Sequence, residues 1–242
     1  MSRILVTLLL SLATVACAGI PETGPTETAA VPPAASALRW SVETTEGRLL
    51  GSATAFGSGQ ALTNAHVLIA ARGRTLVLRR GDIALAVRSA RALPEIDVAV
   101  LQIDAPGIAE PALRRAPPVE AEPLFVAGAG TSGVLAGRGR MMAPSTARRF
   151  GGGMIAALLP VARGYSGTPV VDAEGRLVGI VAAAVAEDLN TARRLSAVSG
   201  NEPPSHWVTL IVPVGTILEG IPMTDRPWSC RPDANAGSCP AT

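Results

Sequence analysis

From Leu38 onward, apolar residues come in short runs, several alternating with polar ones, and the runs are broken by Gly, Pro or Asp. "RWSVET" (39–44), "LLGSATAF" (49–56), "TLVLRR" (75–80), "IALAVRSARA" (83–92) and "VAVLQI" (98–103) predict the strands of a first half. A Pro-rich stretch, "DAPGIAEPALRRAPPVEAEP" (104–123), interrupts the pattern. A second series then predicts strands at "LFVAGAG", "GVLAGRGRMM", "MIAALLPVA" (154–162), "TPVVD", "RLVGIVAAAV" and "HWVTLIVPV". Pro213 and Gly220 bracket a short closing helix over 214–220, and 185–206, the longest polar interruption, is expected to be a surface loop. Strands at this spacing, with no helix of useful length between them, argue an all-β fold, either a barrel pair or a sandwich pair.

Composition modifies this picture mainly at the ends. Residues 19–37, "GIPETGPTETAAVPPAASA", have no apolar periodicity and read as a flexible tether. Ahead of them, Arg3 precedes the apolar-rich run Ile4–Val15, whose 12 residues are too few to span a bilayer as a helix but suit an export signal over 1–18. Two processing readings remain open. Ala16-Cys17-Ala18 fits a small-x-small cleavage site, whereas "TVAC" resembles a bacterial lipobox, with Thr14 where that motif prefers Leu and Cys17 as the lipidated first residue. Cys230 and Cys239, nine residues apart in a loop-like tail over 223–242, are expected to pair in an oxidising compartment. That leaves Cys17 single, which lipidation would explain.

Charge excludes more than it suggests. All 21 basic residues are arginine, the net charge is +2, no basic run exceeds an Arg pair, and aromatics are scarce at 3%. Nucleic-acid binding therefore has little support, and neither a metal nor a cofactor is expected.

The chemistry-bearing residues are few. Of two histidines, His66 follows an apolar strand in "ALTNAHVL"; Asp97 sits at the lip of a strand in "PEIDVAVLQI"; Ser166 lies in the turn "RGYSGTPVVD". Each has a plain structural reading alone: a surface histidine, a capping aspartate, a turn serine between glycines. Their order and their words belong together, however. "TNAHV", "IDVAVLQI" and "GYSGTP" resemble the His, Asp and Ser boxes of the chymotrypsin/trypsin-type serine peptidases, and "GRLVGIVAA" resembles the strand after the nucleophile. The resemblance spans about Leu38 to Pro222, and it is nearest to the bacterial Deg/HtrA-like members without a PDZ domain, since little chain follows Gly220.

The resemblance implies two six-stranded antiparallel β-barrels, the first over about 38–115 and the second over about 120–222. It implies a triad of His66, Asp97 and Ser166, with the Gly164 and Ser166 amides as oxyanion hole. Pro160 would lie at the floor of the specificity pocket. Ala182, Ala183 and Ala184 would form the strand on which an extended peptide pairs, so a small or medium apolar residue is expected before the cut. Two departures stand out. Tyr165 replaces the Asp that pairs with a new N-terminus in animal zymogens, so trimming residues 19–37 is not expected to activate the protein. Thr168 replaces a glycine, and is expected to narrow the loop or hold the oxyanion hole in an inactive shape. A rival set, Ser166, Asp188 and His206, has the α/β-hydrolase order but lacks that fold's Gly-x-Ser-x-Gly elbow and its βαβ alternation. The reading is thus an exported serine endopeptidase acting on peptides or unfolded envelope proteins, periplasmic or secreted, touching membrane only through Cys17. The alternative is a protease-like peptide-binding lipoprotein with little or no turnover.

Overall fold

The strands close into two antiparallel barrels of six, as the resemblance implied. The structure, a computed structural model, describes residues 30–105, 108–130, 133–148, 153–186 and 207–221. The first barrel comprises β1 (Arg39–Thr44), β2 (Leu49–Gly57), β3 (Gln60–Thr63), β4 (Leu76–Arg80), β5 (Ile83–Leu93) and β6 (Val98–Ile103), in the order β1-β2-β3-β6-β5-β4. The second comprises β7 (Pro123–Gly130), β8 (Gly133–Met141), β9 (Ile155–Leu158), β10 (Pro169–Val171), β11 (Leu177–Ala186) and β12 (Trp207–Pro213), in the order β10-β11-β12-β9-β8-β7. Among the described residues four short helices accompany them: α1 (Pro33–Ala37), α2 (Ala65–Ala71), α3 (Pro144–Arg148) and α4 (Val214–Gly220).

Strand composition follows from what each face meets. In β1 burial alternates, with Trp40, Val42 and Thr44 inward, as period-2 geometry requires. In β2 the alternation vanishes: Gly51 through Gly57 are all buried. One face of that strand fills the first barrel and the other lies against the turn carrying Ser166, which is why the run "GSATA" uses only small residues. The second barrel is filled by Leu124, Val126, Leu159, Val161, Tyr165, Val170, Val178 and Ile211.

Three expectations are adjusted. The strand foreseen over 154–162 ends at Leu158, because Pro160 has no N–H to donate and Val161 N–H turns back to the Leu159 carbonyl at 2.9 Å. Residues 33–37, inside the expected tether, form α1, which packs on β7 and β10. The strand expected just ahead of His66 is the four-residue β3, but helix α2 after it was not foreseen, seven residues being too short for a periodic signal. Cys17, Cys230, Cys239, Asp188 and His206 lie outside the described residues.

The Pro-rich stretch is the crossover between barrels, and it is fastened to the second. Leu113 bridges Leu177, with Arg114 N–H donating to the Leu177 carbonyl at 2.9 Å and Leu177 N–H to the Ala112 carbonyl at 2.7 Å. Fully buried Asp172 holds Arg176 Nε at 2.7 Å, with Arg114 Nη1 at 3.4 Å, and accepts the Glu174 and Arg176 backbone N–H groups. Arg114 also grips Glu122 through both carboxylate oxygens, one pair at 2.9 Å. The Arg114 hydrogen bonds are the main reason the Glu122 carboxyl sits below its ordinary value of 4.5.

A depressed folded-state pKa contributes stability above the unfolded value and loses it as pH falls through the folded one. Glu122→Gln is therefore expected to cost about 1–2 kcal/mol at neutral pH. The gap should close in urea melts as the pH is lowered from about 5 toward 3.

Candidate active site

The register between β3 and β6 brings His66 to Asp97. Thr63 pairs with Ala99, so the three residues after β3 fold back over the residue just before β6. There Asp97 Oδ2 lies 2.9 Å from His66 Nδ1, and Oδ1 lies 3.2 Å from the same nitrogen. Oδ1 also accepts the His66 backbone N–H at 3.1 Å. An ionised carboxylate only accepts, so Nδ1 carries the proton and Nε2 presents a lone pair outward. The ring is open to a ligand, with 47% of the side chain exposed against 27% for Asp97.

Asp97 occupies an unusual backbone position. It closes a 3-10 turn over Pro94–Ile96 with φ 51°, in the left-handed region. Helix α4 backs this turn: a β-carbon at Gly220 would lie 2.5 Å from Ile96 Cδ1.

Ser166 is carried by a turn that the first barrel staples. Ser52 N–H donates to the Ser166 carbonyl at 2.7 Å, Ser52 Oγ to the Gly164 carbonyl at 2.9 Å, and Thr54 Oγ1 to the Gly167 carbonyl at 2.8 Å. The second barrel holds the same turn from behind, through Gly167 N–H to the Val181 carbonyl at 2.8 Å and Val181 N–H to the Thr168 carbonyl at 2.9 Å. Gly167 is required here, since its φ is 87° and a β-carbon would come within 2.1 Å of the Ser52 carbonyl oxygen. Gly51 links serine and histidine spatially: a methyl there would touch Val67, next to His66, at 3.0 Å and the Ser166 carbonyl at 3.1 Å. Among the described residues Ser166 Oγ makes no hydrogen bond to the His66 ring. Such bonds are often long without substrate and tighten when it binds.

The first barrel fixes three of the turn's peptide planes, those of the Gly164, Ser166 and Gly167 carbonyls. The Tyr165 carbonyl accepts Thr168 N–H at 2.8 Å, and because a trans peptide points its N–H opposite to its C=O, the Ser166 N–H faces the other way. Among the described residues, neither Gly164 N–H nor Ser166 N–H is taken by a backbone carbonyl.

The departures acquire places. Tyr165 is 1% exposed and lies so close over Gly128 that a β-carbon there would meet its ring at 2.1 Å. Burial lowers the pKa of Arg39, at the start of β1, and Tyr165 works in the opposite direction. Thr168 is wholly buried, and its Oγ1 has no partner, so its side chain does not line the opening. Pro160 is half-buried, with its ring filling the space above Gly137. Ala182 sits at a bulge in β11, and Ala183 and Ala184 are partly buried. On the side where β11 pairs with β10 up to Ile180, no strand among the described residues covers 182–185.

The trypsin-like peptidase domain profile matches residues 51–180, an interval that holds His66, Asp97 and Ser166. The chain belongs to the trypsin-like peptidase family. No curated protein matches this peptidase in sequence. Its fold is that of solved serine proteases. An inactive form of Rv3671c from M. tuberculosis superposes with TM-score 0.58 at 17% identity, covering 77% of this chain and 86% of that one. The serine endoprotease from Yersinia pestis gives 0.59 at 18%, covering 76% and 61%. The HtrA-type protease AlgW with a decapeptide gives 0.59 at 20%, covering 76% and 63%. The peptidase thus spans a little over three fifths of the last two chains.

Sequence reading overlooked Ser52 and Thr54, which hold the site from outside the three boxes, and Asn64, which holds it from within the His box. The signals were small polar residues in an otherwise apolar strand, and an Asn just ahead of the His helix. Gly167→Ala should cost about 3 kcal/mol, from a strained φ and a backbone clash. Thermal melts should register the loss, and fluorophosphonate labelling should fall with it at temperatures where the variant is folded.

Proposed function

We propose that this serine endopeptidase cleaves extended segments of exported proteins, using Ser166, His66 and Asp97 as its triad. One observation carries the reading: Asp97 holds His66 Nδ1 at 2.9 Å, and Gly51 lies between Val67, the residue after His66, and the carbonyl of Ser166. Ser166 Oγ attacks the scissile carbonyl while His66 Nε2 takes its proton, and the resulting alkoxide oxygen is held by the Gly164 and Ser166 N–H groups. Collapse of that intermediate expels the amine, which takes the proton back from His66, and leaves an acyl-serine. Water, deprotonated by the same imidazole, then releases the acid and restores the hydroxyl. Asp97 keeps the proton on Nδ1 and stabilises the imidazolium.

The substrate reading rests on the uncovered side of β11. A peptide laid along 182–184 would add a strand, which requires an extended or unfolded chain. Pro160 and the alanines offer no charge to pair with Arg or Lys, favouring a small or medium apolar residue before the cut. Export through the N-terminal signal, with lipidation at Cys17, would put the enzyme in the cell envelope, periplasmic or secreted.

On an unfolded protein substrate, Ser166→Ala and His66→Ala should abolish turnover, and Asp97→Asn should lower kcat by about 10⁴-fold. Peptide libraries should return apolar residues at the cut. Labelling of Ser166 without cleavage of any extended substrate would favour the peptide-binding alternative, and a preference for Arg or Lys would contradict the pocket assignment.

A further inference from the structure

We propose that Asn64 is a positioning residue for this reaction, its amide holding the Asp97 backbone so that the Asp97 carboxylate stays on the His66 ring. The proposal rests on the triad reading above and adds a fourth residue that none of the three boxes assigns to the chemistry.

Helix α2 lacks the side-chain cap its sequence offers. Asn64 stands at the N-cap of α2 with extended backbone, φ −88° and ψ 152°, yet its side chain makes no capping bond. An asparagine there ordinarily spends its oxygen on the second or third N–H of its own helix. Here that N–H, on His66, is taken by Asp97 Oδ1 at 3.1 Å. Asn64 Nδ2 instead donates to the Asp97 main-chain carbonyl at 2.9 Å. The two loops have exchanged caps, the aspartate capping the histidine's helix and the asparagine fastening the aspartate's backbone.

Three further observations give the exchange a purpose. Asp97 is left-handed at φ 51°, uncommon for a residue with a side chain, so its turn would relax if released. The Asn64 amide is fully buried, and its direction is unambiguous, because a carbonyl oxygen accepts only from the NH₂ end. Its own Oδ1 is buried without a partner, a cost an alanine or serine would avoid. The donor end is therefore what the site retains. Without it, the Asp97 carbonyl loses its partner, the turn is free to rotate, and the carboxylate leaves Nδ1.

Kinetics of the purified full chain test this. Asn64→Ala should lower kcat by more than about tenfold but by less than the roughly 10⁴-fold that losing a triad aspartate costs. KM should barely change, since Asn64 is buried away from substrate. With Asp97→Ala already present, adding Asn64→Ala should cost nothing more, because its effect travels through Asp97. The downfield proton resonance of His66 Nδ1–H should broaden or vanish in Asn64→Ala. Leu78→Ala, a core change in the first barrel, should lower Tm at least as much while leaving kcat intact at temperatures where both variants are folded. If Asn64→Ala does not fold, Asn64→Asp preserves the shape and, once ionised, removes the donor; it should show the same kcat loss. Wild-type kcat in a folded Asn64 variant, or losses at Asn64 and Asp97 that multiply, would overturn the proposal and leave the triad standing. Full activity of Asp97→Ala would overturn the triad reading and the proposal with it.

Discussion

The site depends on the seam where strand β2 of one barrel grips the serine turn of the other. Ser52 makes two of the hydrogen bonds and Thr54 a third, all to carbonyls of the turn between Gly164 and Gly167. Those carbonyls lie in the planes that carry the Tyr165, Gly167 and Thr168 N–H groups, so the grip fixes the backbone on both sides of Ser166. The backbone around Ser166 is thus held by residues more than a hundred positions earlier in the chain. Each bond is ordinary in strength, about 1 kcal/mol net. Together they convert docking of two barrels into geometry at one serine. The small residues of 51–55 in β2 follow from the same constraint, since one face of that stretch meets the serine turn and the other fills the barrel.

The opposite wall follows a similar logic on a smaller scale. His66 and Asp97 lie at the ends of paired strands, so ladder register alone brings them near each other. Register does not choose the rotamer of a carboxylate. That is left to a handful of polar contacts, among them the cap exchange between Asn64 and Asp97, and to α4 pressing behind Ile96. Helix α4 belongs to the second barrel, so here too one barrel supports the chemistry of the other.

Much of this was legible in the sequence. The strands from Arg39–Thr44 to Trp207–Pro213 largely coincide with apolar runs, since period-2 burial leaves a mark wherever one face is wet. The three boxes located His66, Asp97 and Ser166 because local words around a functional turn are dictated by its backbone, as with Gly167 against the Ser52 carbonyl. Hidden were features whose cause is non-local. Helix α2 is too short to show a period, and the end of β9 was obscured because Leu158–Leu159–Pro160 reads as a continuous apolar run. The roles of Ser52, Thr54 and Asn64 depend on partners 33 to 113 residues away. That the Thr168 side chain is wholly buried could not be read from the turn's sequence.

The most direct test of the stapled-turn account is a crystal structure of the enzyme covalently labelled by a fluorophosphonate. The account predicts a bond to Ser166 Oγ, with the phosphonyl oxygen within hydrogen-bond distance of both the Gly164 and Ser166 N–H groups, and with Ser52 and Thr54 still bonded to the turn. A label on another residue, or an adduct whose oxygen finds neither amide while those bonds remain, would contradict it.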